Sequence, residues 1–95
     1  MTFEFEGELW LWTGDAAWVF ITVPQEMSDD ILDAAPRTGG FGSVKVEVTI
    51  GDSTWQTSLF PDSKRAAYVL PIKRAIRTAE SIDVGDRTPV RLELI

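Results

Sequence analysis

Residues 3–12 read FEFEGELWLW and alternate strictly, and this alternation constrains the fold more than any other feature of the chain. Successive side chains of a β-strand point to opposite faces, so a period of two predicts one inward and one outward face. We predict that the odd positions face the core, and that the even face changes from acidic to aromatic between Glu8 and Trp10. A bulge at Gly7 would reverse this parity. The odd face carries Phe3, Phe5, Gly7, Leu9 and Leu11, and the even face carries Glu4, Glu6, Glu8, Trp10 and Trp12.

Trp10 and Trp12 give this strand a second apolar face, which needs a cover. A large aromatic side chain buries about 150–250 Å², so two bare tryptophans would expose about 300–500 Å², the size of the largest patch on a typical monomer. Covering them would contribute at most about 7–12 kcal/mol at ~25 cal/mol/Å². We expect a helix of the same chain to lie over them; another subunit and a ligand are the alternatives.

Five further strands and two short helices are predicted from similar patterns. Pro24 and Pro71 each end a strand and can open a helix, because the first helical turn does not need the missing N–H. The predicted strands are 17–23, 44–50, 53–60, 67–70 and 89–95, with turns at 13–16, 51–52, 61–66 and 85–86 and a glycine-rich loop at 36–43. The predicted inward residues are Val44, Val46, Val48, Ile50, Trp55, Thr57, Leu59, Val90, Leu92 and Leu94, and the helical apolar stripes are Met27, Ile31, Ala34, Ala35 and Ile72, Ala75, Ile76, Ala79.

Composition excludes several classes of function. The 95 residues suffice for one domain, and they include no cysteine and no histidine. Disulfides, zinc–thiolate sites, thiol nucleophiles and the commonest general base are therefore absent. The acidic N-terminus lacks the pattern of a signal peptide, and no apolar run approaches the ~20 residues of a membrane span. We expect a soluble cytoplasmic protein that does not associate with membranes, and its net charge of −6 repels nucleic acid on average.

Two segments of the chain follow the same order of features. VP at 23–24 and LP at 70–71 each end a strand before a helix, and VKVEV at 44–48 and VRLEL at 90–94 match in residue class at every position. We predict two fused half-barrel repeats, about 17–50 and 66–95, that form one pseudo-two-fold domain. Chance similarity between alternating strands is the alternative.

The second of these segments, YVLPIKRAIRTAESIDVGDRTPVRLEL, resembles the swapped-hairpin motif of AbrB-type transcription factors and addiction-module antitoxins. Over nearly its whole length the chain is also similar to the domain of unknown function 1905 family, through LWLW, WVFITVP, GFGSVKVEVTIGDSTWQTSLFPD and YVLPIKRAIRTAESIDVGD. This resemblance implies a mainly β fold, a small double-split barrel with two short α-helices. It implies no activity.

Lys73, Arg74 and Arg77 form a basic cluster on one face of the second predicted helix. Such a face suits an anion, a nucleic acid or an acidic partner. The alternative is a solvated face that pairs with Glu80 and nearby acids, and surface pairs of this kind contribute about 0–1 kcal/mol.

The tryptophans are the second group of candidates. Trp10, Trp12 and Trp55, together with Trp18, are suited to line a pocket or to stack on bases, and the alternative is that they belong to the core. The glycine-rich loop lacks the Gly-Lys-Ser/Thr ending of a phosphate-binding loop.

We predict no catalytic residue, no metal ligand and no cofactor. Thr57 and Ser58 have no neighbouring base in the sequence, and acidic residues such as Asp29 and Asp86 make no recognisable metal motif. The predicted function is a non-enzymatic binding or protein-interaction module, monomeric or homodimeric, with a protein or small molecule as partner. An AbrB-like DNA-binding regulator and a small-ligand barrel are the alternatives, and the acidic composition counts against the nucleic-acid partner.

Overall fold

Six strands close into one barrel in the computed structural model, which describes residues 1–14, 16–34 and 42–95. Around the ring the order is β1-β2-β5-β4-β3-β6, and each pair of neighbours is antiparallel. The mainly β barrel with two short helices is thus confirmed. The elements are β1 (Thr2–Thr13), β2 (Ala17–Thr22), α1 (Gln25–Ala34), β3 (Val44–Ile50), β4 (Ser53–Asp62), β5 (Ala67–Pro71), α2 (Arg74–Glu80) and β6 (Arg87–Leu94).

Two long strands, β1 and β4, change partners half-way along and so split the barrel into two sheets. Residues 2–8 of β1 pair with β6, and residues 9–13 pair with β2. Residues 53–59 of β4 pair with β3, and residues 60–62 pair with β5. We call the side formed by β1, β6, β3 and β4 sheet A, and the side formed by β1, β2, β5 and β4 sheet B.

The strand order has two-fold pseudosymmetry. Exchanging β1 with β4, β2 with β5 and β3 with β6 maps the ring onto itself, and α1 and α2 then occupy equivalent places in the chain. The duplication of the sequence over 17–50 and 66–95 stays a prediction.

The alternating strands bury the faces that parity assigns to the core. Val44, Val46, Val48 and Ile50 are buried, as are Leu59, Val90 and Leu92, while Trp55, Thr57 and Leu94 are half-buried. The pairing of β1 with β6 runs without a break through Gly7, so no bulge reverses the parity there.

The inward face of β1 ends earlier than predicted. Leu9 is fully buried, but Leu11 is 47% exposed, so its assignment to the core is wrong. The reason is the extent of pairing: β2 pairs with β5 only over residues 20–22, and the tip of the β1–β2 hairpin extends beyond that pairing.

Each helix packs an isoleucine onto the barrel core. Ile31 of α1 and Ile76 of α2 belong to the core cluster, and Met27 packs against it. Three alanines of the predicted stripes are exposed instead, namely Ala34, Ala75 and Ala79. The reason is that each short helix contacts the barrel mainly through its isoleucine. Ala35 and residues 36–41 of the glycine-rich loop lie outside the described residues.

The second helix begins later than the sequence suggested. Pro71 pairs with Phe20 as the last residue of β5, and the N–H of Ile72 donates to the carbonyl of Val19 at 2.9 Å. The backbone therefore stays extended as far as Lys73, which is the N-cap of α2. Neither described helix, of ten and seven residues, is long and apolar enough to cross a membrane.

Candidate functional site

The outer face of sheet B carries a cluster of aromatic side chains. Strand pairing sets Trp10 opposite Phe20 and Trp12 opposite Trp18. Because paired residues of antiparallel strands point to the same side, all four rings lie on one face, opposite the buried Leu9. Together with Phe60 of β4, Val69 of β5 and residues 61–65, which form the end of β4 and the start of the following turn, they line an open groove of about 780 Å³, which we call the aromatic groove.

Three of these rings are widely accessible to solvent. Trp18 is 50% exposed, Trp12 42% and Phe60 43%. The expectation that a helix of the same chain covers Trp10 and Trp12 is therefore wrong. Both helices follow their strands through short connections and pack their isoleucines onto the core, which places neither of them among the residues that line the groove.

Trp10 is half-buried and is held at both its edge and its face. Its indole N–H donates to the hydroxyl of Thr22 at 2.9 Å. Its ring lies 5.4 Å from that of Phe20, centroid to centroid. The guanidinium carbon of Arg65 lies 3.7 Å from the centre of the indole, a cation–π contact. The β4–β5 turn, rather than a helix, thus covers part of Trp10.

Arg65 is kept in this position by Asp62. Its Nη1 lies 2.9 Å from Oδ2 of Asp62, and the backbone N–H groups of Lys64 and Arg65 donate to Oδ1. Burial on its own would raise the pKa of the Asp62 carboxyl, but these hydrogen bonds outweigh it and the pKa lies below its usual value. The carboxylate therefore stays charged and anchors the guanidinium over the indole.

A second, smaller groove of about 290 Å³ adjoins the first, and Trp18 lines both. Trp55 and Lys73 lie on this side groove, together with Gln56, Thr57, Pro71 and Ile72. Trp55 pairs with the buried Val48, so it belongs to the inward face of β4, where it packs half-buried against the core. The structure thus brings Trp10 and Trp12 into one groove and places Trp55 in the next.

The basic cluster is divided between two environments. Lys73 lines the side groove, whereas Arg74 and Arg77 line a separate depression on α2. Arg77 is partly engaged within the chain, because its Nε donates to the carbonyl of Ile72 at 3.3 Å and its Nη1 lies 3.6 Å from Asp83.

Glu80, which the sequence suggested as a partner for the basic cluster, faces the β3–β4 turn instead. Its carboxylate accepts from the Ser53 hydroxyl at 2.6 Å and from the Asp52 N–H at 3.4 Å. Lys73 and Arg74 are exposed.

Cationic side chains border the two grooves on a chain that is acidic as a whole. Lys64 and Arg65 line the aromatic groove, and Lys73 lines the side groove. Among the described residues that line the two grooves, the acidic one is Asp62 of the aromatic groove, and it is paired with Arg65. The described lining thus carries three cationic side chains and one carboxylate, although the net charge of the chain is −6.

Sequence reasoning missed most of this groove, and the length of one turn explains why. A turn over 13–16 would set Trp12 opposite Ala17 and place Trp18 on the face of Leu11. The structure pairs Thr13 with Ala17, so Trp12 faces Trp18. A shift of one residue moves every side chain to the other face. Phe20, Phe60, Lys64 and Arg65 carried no signal of their own, because nothing in their spacing shows that the end of β4 pairs with β5, which in turn pairs with β2.

The groove offers flat ring faces and charged hydrogen-bond donors. The family model described as domain of unknown function (DUF1905) matches residues 5–92, a range that contains all of the groove. The family resemblance seen in the sequence is thus confirmed. The curated proteins gave no match to the chain.

Proposed function

From the structure of a chain that belongs to the domain of unknown function 1905 family, we propose that this protein is a non-enzymatic binding module and that the aromatic groove is its binding site. The observation that carries the proposal is the row of accessible rings, Trp12, Trp18 and Phe60, on the outside of a closed barrel. The core is already filled by other side chains. These rings therefore do little for folding and are available for a ligand.

Covering the exposed rings contributes favourable free energy to the binding of a ligand. With 42–50% of each residue accessible, a ligand that covers one ring removes roughly 60–120 Å² of surface from water, which is worth about 1.5–3 kcal/mol per ring as an upper bound. Two or three covered rings, less an association cost of at least about 4 kcal/mol, leave at most about 5 kcal/mol, so the rings alone support an affinity no tighter than about 0.1 mM and polar contacts must supply any further affinity.

The groove's chemistry supports binding rather than catalysis. Among the described residues, the charged groups that line it are the ammonium of Lys64, the guanidinium of Arg65 and the carboxylate of Asp62. The carboxylate is engaged by Arg65, and its lowered pKa makes it a weak base. Ring faces and cationic donors position a ligand and leave its covalent bonds unchanged.

The proposal is tested by titrating the protein with a panel of oligonucleotides, acidic and proline-rich peptides and oligosaccharides, while tryptophan fluorescence is followed. Binding should shield the tryptophans from a soluble quencher and should be lost in Trp18→Ala. Val84→Ala is the control, because Val84 is as exposed, at 47%, but lies away from the groove. The proposal is overturned if every ligand that binds does so equally well to Trp18→Ala.

A further inference from the structure

We propose that the ligand of the aromatic groove is a single-stranded nucleic acid segment, with bases on the exposed rings and phosphates near Lys64, Arg65 and Lys73. This inference rests on the proposed function and adds the chemical class of the partner. It is carried by two independent features of the groove, its cationic borders and the spacing of its rings.

Charge complementarity is the first feature. Lys64 and Arg65 line the aromatic groove, Lys73 lines the side groove, and the exposed Arg74 follows Lys73 at the start of α2. Asp62 pairs with Arg65, so the described lining of the two grooves carries an excess of two positive charges, from Lys64 and Lys73. On a chain with 15 acidic and 9 basic residues, this concentration of cations marks the groove as the place where a polyanion is tolerated.

The arrangement of the rings is the second feature. The planes of Trp18 and Phe20 are within 10° of parallel, with centroids 6.1 Å apart. Trp12 on β1 and Phe60 on β4 are separated by three interstrand spacings, roughly 14 Å across the strands, and by an offset of four residues along β2, roughly 13 Å. A sheet face of this width with accessible aromatic rings can stack two or three unpaired bases, since every base has a π-face.

Arg65 joins the two features. Its guanidinium is already desolvated on one side by the indole of Trp10 and is fixed by Asp62. A guanidinium fork held in place loses little freedom when it donates to a phosphate. The site thus offers a positioned anion contact directly beside stacking surfaces.

A single strand fits this surface better than a duplex does. In a duplex the base faces are stacked on each other and cannot reach the rings. A single strand leaves its base faces free to stack on the rings.

The test uses the full chain and a fluorescently labelled oligothymidylate of about eight nucleotides, a length within the range that small barrels bind. Anisotropy is measured at about 20 mM salt, where phosphate contacts are strongest, and then at rising salt. We expect saturable binding that Trp12→Ala and Trp18→Ala each weaken between about fivefold and about 150-fold. Both residues are exposed, and an unchanged unfolding midpoint confirms that each variant is folded.

Charge variants test the phosphate contacts separately. The logarithm of the affinity should fall linearly as the logarithm of the salt concentration rises. Lys64→Ala and Lys73→Ala should each make this negative slope shallower by about 0.7. Lys45→Ala is the matched control, because it removes the same charge from an exposed position on sheet A. The inference is overturned if Lys45→Ala makes the slope shallower by as much as Lys64→Ala does.

Three further outcomes also overturn it. They are no binding of the oligonucleotide at low salt, binding that Trp18→Ala leaves unchanged, and equally tight binding of the duplex form. If an oligoglutamate peptide binds instead, with the same dependence on Trp18, then the nucleic-acid inference fails while the proposed binding module stands. If no ligand of any class depends on Trp18, both fail together.

Discussion

Gly7 lies near the point at which β1 passes from sheet A to sheet B, two residues before Leu9, and we expect Gly7→Ala to destabilise the barrel. Gly7 is buried and pairs with Thr88 of β6, one residue before the last pair of that ladder. A Cβ at this position would lie far inside van der Waals contact of Cγ2 of Ile21, a residue with no exposed surface, and 3.2 Å from Cε2 of Phe5. The strands come this close only because position 7 has no side chain.

The expected loss follows from two opposing effects. Overpacking a buried site costs about 1–3 kcal/mol, and a contact this short belongs near the upper value. Alanine also restricts the unfolded chain, which returns about 0.4–1 kcal/mol. The free energy of unfolding should therefore fall by about 2 kcal/mol, which for a domain of this size lowers the melting temperature by about 8–16 °C.

The double variants make the explanation specific. Ile21→Leu moves the branch away from Cβ and removes the Cγ2 methyl, so it should recover about 1–2 kcal/mol when combined with Gly7→Ala. Ile21→Val keeps both methyls on Cβ and should recover nothing. Urea unfolding followed by circular dichroism measures the parent, the three single variants and the two double variants, with an unchanged m-value as the check on two-state behaviour. A Gly7→Ala variant as stable as the parent, or equal rescue by Val and Leu, refutes the reasoning.

Three further predictions concern the structure around the groove. Ser28→Ala should lower the free energy of unfolding by about 1–3 kcal/mol, because the buried N–H of Tyr68 loses its acceptor; a loss below about 0.5 kcal/mol in urea unfolding contradicts this. Asp62 has a lowered pKa, so its contact with Arg65 should persist from neutral pH to about pH 4 and be lost as the pH falls further; tryptophan fluorescence should follow this step, and Asp62→Asn should abolish it. Trp18→Ala should change the unfolding free energy by less than about 1 kcal/mol in the same urea assay, and a larger loss would assign Trp18 to folding rather than binding.

The sequence predicted the fold correctly where the alternation of apolar and polar residues in a strand matches which of its side chains are buried. The strand VKVEVTI begins and ends as predicted, and its four apolar residues are all buried. Likewise the odd face of β1 is inward from Phe3 to Leu9, although Phe5 is only half-buried. Alternation suffices here because each strand has one face that must leave water, whichever strand it pairs with.

The candidate site was only partly predictable. Trp10 and Trp12 could be recognised as the start of an apolar outer face, but the cover assigned to them was wrong. The estimate that this face must be buried treated both tryptophans as bare. Trp10 is instead partly covered by Phe20 and Arg65, and the barrel tolerates the exposure of Trp12.

The sequence by itself determined which residues alternate, which segments are strands or helices, and to which family the chain belongs. Only the tertiary structure decided that β1 changes partner after Glu8, that Trp12 lies opposite Trp18, and that the guanidinium of Arg65 contacts the indole ring of Trp10. The physical reason is the range of the interactions. The alternation of apolar and polar residues within a segment depends only on which of its faces is buried. Register and strand order depend instead on contacts between residues far apart in the chain.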